Sequence, residues 1–174
     1  MTSHVVVEAD GGSRGNPGPS GYGAVVKDAA TDEVLAERKE GLGVVTNNVA
    51  EYRGLIAGLA AAAEVGASTV DVLMDSKLVV EQMSGRWKIK HPDMQALASE
   101  AHQLAPFGTT YTWIPRELNK HADRLVNEAL DGKRTGVTVA GVEAPAPDLG
   151  AARTGPATTS APTIAASAIG ENRR

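Results

Sequence analysis

Cysteine is absent from all 174 residues. That excludes disulfides, thiolate metal sites and a cysteine nucleophile. The four histidines, His4, His91, His102 and His121, have no metal-ligand spacing. A metal site would therefore rely on oxygen donors, which favour Mg²⁺, Mn²⁺ or Ca²⁺. Signal-peptide and transmembrane-length apolar runs are also missing, so a soluble, cytoplasmic protein is the expectation. No GxSxG elbow is present, and no EF-hand spacing. Positive charge is scarce as well: the net charge is −4, and up to Asp131 there are 12 Lys+Arg against 18 Asp+Glu, a charge of −6. The remainder holds 5 against 3, a charge of +2. Bulk charge does not attract nucleic acid to such a domain. A polyanionic partner would need bound cations and a local basic patch.

What is present reads as an α/β domain with a mixed sheet. His4–Ala9 is a β-branched run ending in Asp10, followed by the turn-rich stretch Gly11–Gly21. Tyr22–Lys27 and Glu33–Glu40 read as strands, so three strands with short links suggest an antiparallel meander. Asn48–Val65 is the clearest helix, with Tyr52, Ile56, Leu59 and Ala63 at helical spacing and Gly66 as its stop. Thr69–Met74 is a buried-type strand. Ser76–Met83 and Pro92–Leu104 are helices, Thr109–Ile114 is a strand, and Asn119 is the expected N-cap of a last helix striped by Ala122, Leu125, Val126 and Ala129. From Lys133 onward no aromatic residue occurs, and Ala, Pro, Thr, Ser and Gly dominate. Residues 1–132 are expected to form one catalytic domain and residues 133–174 a disordered tail or linker.

Four carboxylates stand in similar settings. Asp10 and Asp75 each close an apolar strand, and ligands collect beyond the carboxyl ends of strands in open α/β sheets. Glu51 and Asp123 sit in the first turns of helices, where the helix dipole favours the ionised form. Singly, each has an ordinary structural explanation. Convergent carboxylates, however, usually share a cation, because repulsion would otherwise raise their pKa values. The loop GGSRGNPGPSG matches neither GxGxxG nor the Walker spacing, and reads alone as a hairpin. Asn16, Thr46, Asn47 and Asn48 form a polar set suited to 2′-hydroxyls and base edges. The run GRWKIKH, Gly85–His91, interleaves Trp87 with Arg86, Lys88, Lys90 and His91. It suits phosphate and sugar contacts, or equally a half-buried Trp among solvated charges. His121 is expected at the surface.

In order, these motifs resemble ribonuclease H of type 1 over roughly Val5–Leu130. The carriers are Asp10-Gly11-Gly12 with Asn16-Pro17-Gly18-Pro19-Ser20-Gly21, then Thr46-Asn47-Asn48-Val49-Ala50-Glu51, then Asp75-Ser76, then Asn119, Asp123, Leu125 and Ala129. The resemblance implies the ribonuclease H-like fold, a five-stranded mixed sheet flanked by helices. It implies that Asp10, Glu51, Asp75 and Asp123 bind two Mg²⁺ or Mn²⁺ ions. The implied reaction is endonucleolytic hydrolysis of the RNA strand of RNA–DNA hybrids, leaving 5′-phosphate and 3′-hydroxyl ends. Asn16, Asn47 and Asn48 are implied minor-groove contacts, and Thr46 a donor to the DNA strand. Ser76, Lys77, Trp87 and Lys88 complete the expected substrate-binding set, and a monomer is expected.

Two departures from the family pattern bear on substrate. A mobile histidine usually precedes the last aspartate, but here the loop shortens to TWIPRELNKHAD and Arg116 takes that region. Arg116 is therefore a candidate catalytic-site residue that can hold a phosphate but cannot exchange protons near neutral pH. This resembles a His-less branch, some members of which also cut double-stranded RNA and some of which are fused to a histidine-phosphatase-class domain. Second, the long basic handle of other members is absent, and Lys77 stands where glutamine is frequent. The alternatives are a same-fold nuclease preferring double-stranded RNA, a non-catalytic hybrid-binding module and a cation-binding structural domain.

Overall fold

The computed structural model describes residues 3–132, 137–139 and 142–144, the last six as backbone. The chain begins with three strands, β1 (His4–Ser13), β2 (Gly18–Asp28) and β3 (Val34–Val45), joined as an antiparallel meander. After α1 (Asn47–Glu64), β4 (Thr69–Met74) returns parallel to β1. Two helices follow, α2 (Lys77–Met83) and α3 (Pro92–Leu104), and then β5 (Thr110–Trp113) joins parallel to β4. A 3-10 turn at Arg116–Leu118 leads into α4 (Lys120–Leu130). The sheet order β5-β4-β1-β2-β3 is thus the expected five-stranded mixed sheet.

Two three-residue strands, β6 (Val137–Val139) and β7 (Val142–Ala144), extend that sheet beyond β3. They lie inside the segment expected to lack structure. The reason is local composition: Val-Thr-Val and Val-Glu-Ala are short β-prone runs in an otherwise Ala/Pro-rich stretch. The rest of the expected tail, 133–136, 140–141 and 145–174, lies outside the described residues.

Alternation along the strands assigns the two faces. Val5, Val7 and Ala9 of β1, Ala24 and Val26 of β2, and Val70, Val72 and Met74 of β4 are all buried in one cluster with α1, α2 and α3. Fully burying each Val or Leu there contributes about 1.5–3 kcal/mol. Within this layer the Tyr52 hydroxyl donates to Gln82 Oε1 at 2.6 Å, so the buried amide of α2 is satisfied by α1. The opposite face is covered by α4. A Cβ on Gly23 would lie 2.5 Å from the Ala122 carbonyl oxygen, so the missing side chain lets α4 rest on β2.

Three local readings change. The strand does not stop at Asp10: β1 continues to Ser13 because β2 pairs with it as far as Ser20, which turns most of the glycine-rich stretch into ladder. On α1 the buried surface is wider than one stripe, taking in Leu55, Ala61 and Ala62, while Ala63 is exposed. The helix packs against both the sheet and α3, so two of its sides are covered. Asn119 occupies the N-cap position of α4 but makes no capping bond with its side chain, which is used elsewhere.

Candidate active site

The parallel ladder between β1 and β4 ends at the pair Ala9 and Met74. Asp10 and Asp75 are the next residues on each strand, so register alone brings them side by side. Asn119 closes this end. It is fully buried, and its Nδ2 donates to the Ala9 carbonyl at 3.0 Å and to Asp75 Oδ1 at 3.4 Å. One amide thus ties the ends of two neighbouring strands to the start of α4. Trp113, paired with Met74 on β5, donates its indole N–H to the Asp75 carbonyl at 3.2 Å.

Glu51 arrives from α1. The helix is capped by Thr46, whose hydroxyl accepts from the Val49 N–H at 3.3 Å. It crosses β1 at backbone contact, since a Cβ on Gly11 would lie 2.2 Å from the Ala50 carbonyl carbon and one on Gly54 2.5 Å from the Asp10 oxygen. From there Glu51 Oε1 accepts the Gly11 N–H at 3.1 Å. Asp10, Glu51 and Asp75 each present an oxygen within 4.8 Å of the others.

Such crowding has an electrostatic signature. Burial, and then the charges of Asp75 and Asp123, push Asp10 up to about 8. Burial, followed by the charges of Asp10 and Asp75, holds Glu51 well above the ordinary carboxylate range, with the Gly11 N–H and Arg116 acting in the opposite sense. Three hard oxygen donors that repel one another fit a divalent cation of the Mg²⁺ or Mn²⁺ type.

Asp123 stands at the rim. It lies in the first turn of α4 and lines the same cleft of about 470 Å³, but outside the compact trio. Its Oδ1 accepts from Arg116 Nη2 at 3.3 Å and its Oδ2 from Asn127 Nδ2 at 3.4 Å. Arg116, mostly exposed, also lines the cleft. All four expected carboxylates line one cleft, and three of them bring an oxygen within 4.8 Å of one another.

The other expected residues divide into groups. Asn47 lines the cleft, and its N–H donates to Asn16 Oδ1 at 3.0 Å, which fastens the β1–β2 turn to the start of α1. Asn48 is exposed on the same first turn. Ser76 is buried and caps α2 by accepting from the Val79 N–H at 3.3 Å. Lys77 lies with its ammonium 5.9 Å from the Trp113 ring centroid. Trp87 and Lys88 are exposed between α2 and α3 and do not line the cleft. His121, expected at the surface, is partly buried against Glu37, because α4 lies across β3.

Trp113, Asn127 and Arg14 also line the cleft and lie outside the set expected from the sequence. For Trp113 a signal existed: it lies near the end of the expected strand Thr109–Ile114. Asn127 follows Asp123 by four residues and so shares its helix face. Nothing local marked Arg14.

The reverse transcriptase-like sequence family matches residues 8–129. The chain is 61% identical over 134 residues to the bifunctional protein Rv2228c of Mycobacterium tuberculosis, covering 73% of this chain and 35% of that protein. It therefore spans about a third of the length of this relative. Ribonuclease HI of Halobacterium salinarum is 41% identical over 124 residues, covering 70% of this chain and 62% of that one. Among solved structures, the N-terminal RNase H domain of Rv2228c superposes with a TM-score of 0.73 at 61% identity, over 75% of this chain and 95% of that one. LC11-RNase H1 in complex with an RNA/DNA hybrid gives 0.70 at 38% identity, over 74% and 97%. A mixed five-stranded sheet with carboxylates gathered past its parallel strand ends defines the ribonuclease H-like class of enzymes. The chain belongs to the ribonuclease H family.

Proposed function

We propose that the chain is a metal-dependent endoribonuclease that hydrolyses the RNA strand of RNA–DNA hybrids. The observation that carries this reading is the convergence of Asp10, Glu51 and Asp75 within 4.8 Å at the cleft that Asp123 also lines. Support comes from LC11-RNase H1, a relative at 38% identity whose structure contains such a hybrid. A non-catalytic binding module has no need of buried carboxylates held at a cost to their ionisation.

Asp10, Glu51 and Asp75 would hold the divalent cations, with Asp123 completing the set from the rim. When bound, a pair of such ions supplies an activated water and neutralises charge at the departing 3′-oxygen. The chain's own residues position and select. Asn119 fixes the direction of Asp75, and the Gly11 N–H fixes Glu51. Asn16 holds Asn47 at the cleft, where its amide can meet a 2′-hydroxyl, a group that DNA lacks. Arg116 faces the rim carboxylate and offers planar donors to a phosphate. Cleavage would leave 5′-phosphate and 3′-hydroxyl ends.

The test is a parallel cleavage assay on a matched hybrid, duplex RNA and duplex DNA, with Mg²⁺ and Mn²⁺ compared. Metal-dependent cutting of the hybrid's RNA strand is expected. Preferential cutting of duplex RNA would assign the chain to the other substrate, and no cutting of either would overturn the reading.

A further inference from the structure

Two of the cleft's lining residues are positively charged, and each is engaged by a carboxylate at one end of α4. Arg116 meets Asp123 at the start of the helix, and Arg14 meets Asp131 just past its end, Nη2 to Oδ1 at 2.7 Å. Asp123 and Asp131 are eight positions apart, so their backbones are spaced about 12 Å along the helix axis at about 1.5 Å per residue. The two arginines thus give the cleft two separate cationic points, one at its carboxylate end and one at the β1–β2 turn.

Arg14 sits where the β1–β2 turn meets the cleft. Its backbone is fixed, the N–H donating to the Pro19 carbonyl at 2.8 Å, and the turn is fastened to α1 through Asn16. Its side chain is free to choose a partner. Arg14 and Asp131 are each 52% exposed, and an ion pair so placed contributes little to folding. Asp131 takes one bond from Arg14, whereas a phosphate can accept two parallel guanidinium bonds, so a strand already held nearby can compete for it.

On the reading of the cleft as a ribonuclease H site, we propose that Arg14 is a phosphate-binding residue for the substrate strand and that Asp131 competes with the strand for it. Asp131 then lowers affinity and limits binding of strands that fail to engage the carboxylate centre. This assigns opposite signs to the two members of one ion pair, which no structural role would do.

The experiment measures anisotropy of a labelled RNA–DNA hybrid with the full chain carrying Asp75→Asn, in Mg²⁺ across a salt series. Adding Arg14→Ala is expected to weaken binding several-fold and to reduce the salt slope by about one. Arg14→Lys is expected to keep the slope while losing part of the affinity. Adding Asp131→Asn is expected to tighten binding several-fold, and to have no such effect once Arg14 is alanine. Equal weakening by Arg14→Ala and Asp131→Asn would identify a structural clip and overturn the proposal, as would an unchanged salt slope. If the chain without any substitution fails to bind the hybrid, the ribonuclease H reading itself falls, a result distinct from failure at Arg14 alone.

Discussion

The backbone N–H of Gly11 donates to Glu51 Oε1 at 3.1 Å, across a gap that only glycine permits. A Cβ at position 11 would stand 2.2–2.4 Å from the Ala50 carbonyl and the Glu51 nitrogen. These are backbone atoms of a packed helix and cannot move aside singly. Gly11→Ala should therefore shift the start of α1, cost about 1–3 kcal/mol as an overpacked site, and lower kcat by displacing Glu51. Urea denaturation and turnover on the hybrid check both parts; a variant with normal stability and rate would contradict the close approach.

Asp10 makes the metal-free protein sensitive to pH. Its folded value of about 8 lies above the ordinary carboxylate value near 3.9. The folded state therefore binds a proton that the unfolded state has released. By linkage, stability present below about pH 4 is lost progressively as pH rises toward 8. In EDTA the Tm should be higher at pH 6 than at pH 9. Asp10→Asn should flatten that decline and raise the Tm at pH 9, and Mg²⁺ should do likewise in the parent. A Tm that rises with pH in EDTA would contradict the crowding.

Asn119 holds two strand ends with one amide. Replacing it by alanine leaves the Ala9 carbonyl without its partner, a loss of about 1–3 kcal/mol for a buried group. The same change frees Asp75 to rotate, so the Mg²⁺ concentration needed for half-maximal activity should rise. Thermal melts and Mg²⁺ titration separate the two effects. A stability loss with unchanged Mg²⁺ dependence would remove the positioning role.

Arg116 is mostly exposed, so Arg116→Ala should leave the Tm nearly unchanged, as expected for a surface pair. Turnover should fall. Arg116→His should restore part of it and introduce a new inflection in the pH–rate profile near the histidine value of about 6.5. Full activity in Arg116→Ala would mean that the guanidinium touches no reacting phosphate.

Legibility followed the range of the interaction. Strand β4 and helix α3 match their expected spans because their apolar patterns are local. Asp10 and Asp75 were legible because both follow apolar strand runs, although the real link between them, the common end of a parallel ladder, needs tertiary pairing. Asn119 was recognised as a helix start, but its side chain reaches β1 and Asp75, far away in sequence. Arg14 was invisible for the same reason: its partner Asp131 is brought to it only by the docking of α4 on the sheet. The basic run around Trp87 had a clear composition, yet the fold sets it apart from the carboxylate cleft.

The most direct test of the central claim, that Asp10, Glu51 and Asp75 form a metal-dependent centre for RNA-strand hydrolysis, is single-turnover cleavage of a labelled RNA–DNA hybrid by Asp75→Asn beside the parent chain in Mg²⁺, with circular dichroism to verify folding. The expected result is a folded variant with RNA cleavage abolished and the DNA strand untouched in both proteins. Undiminished cleavage by the folded variant would contradict it.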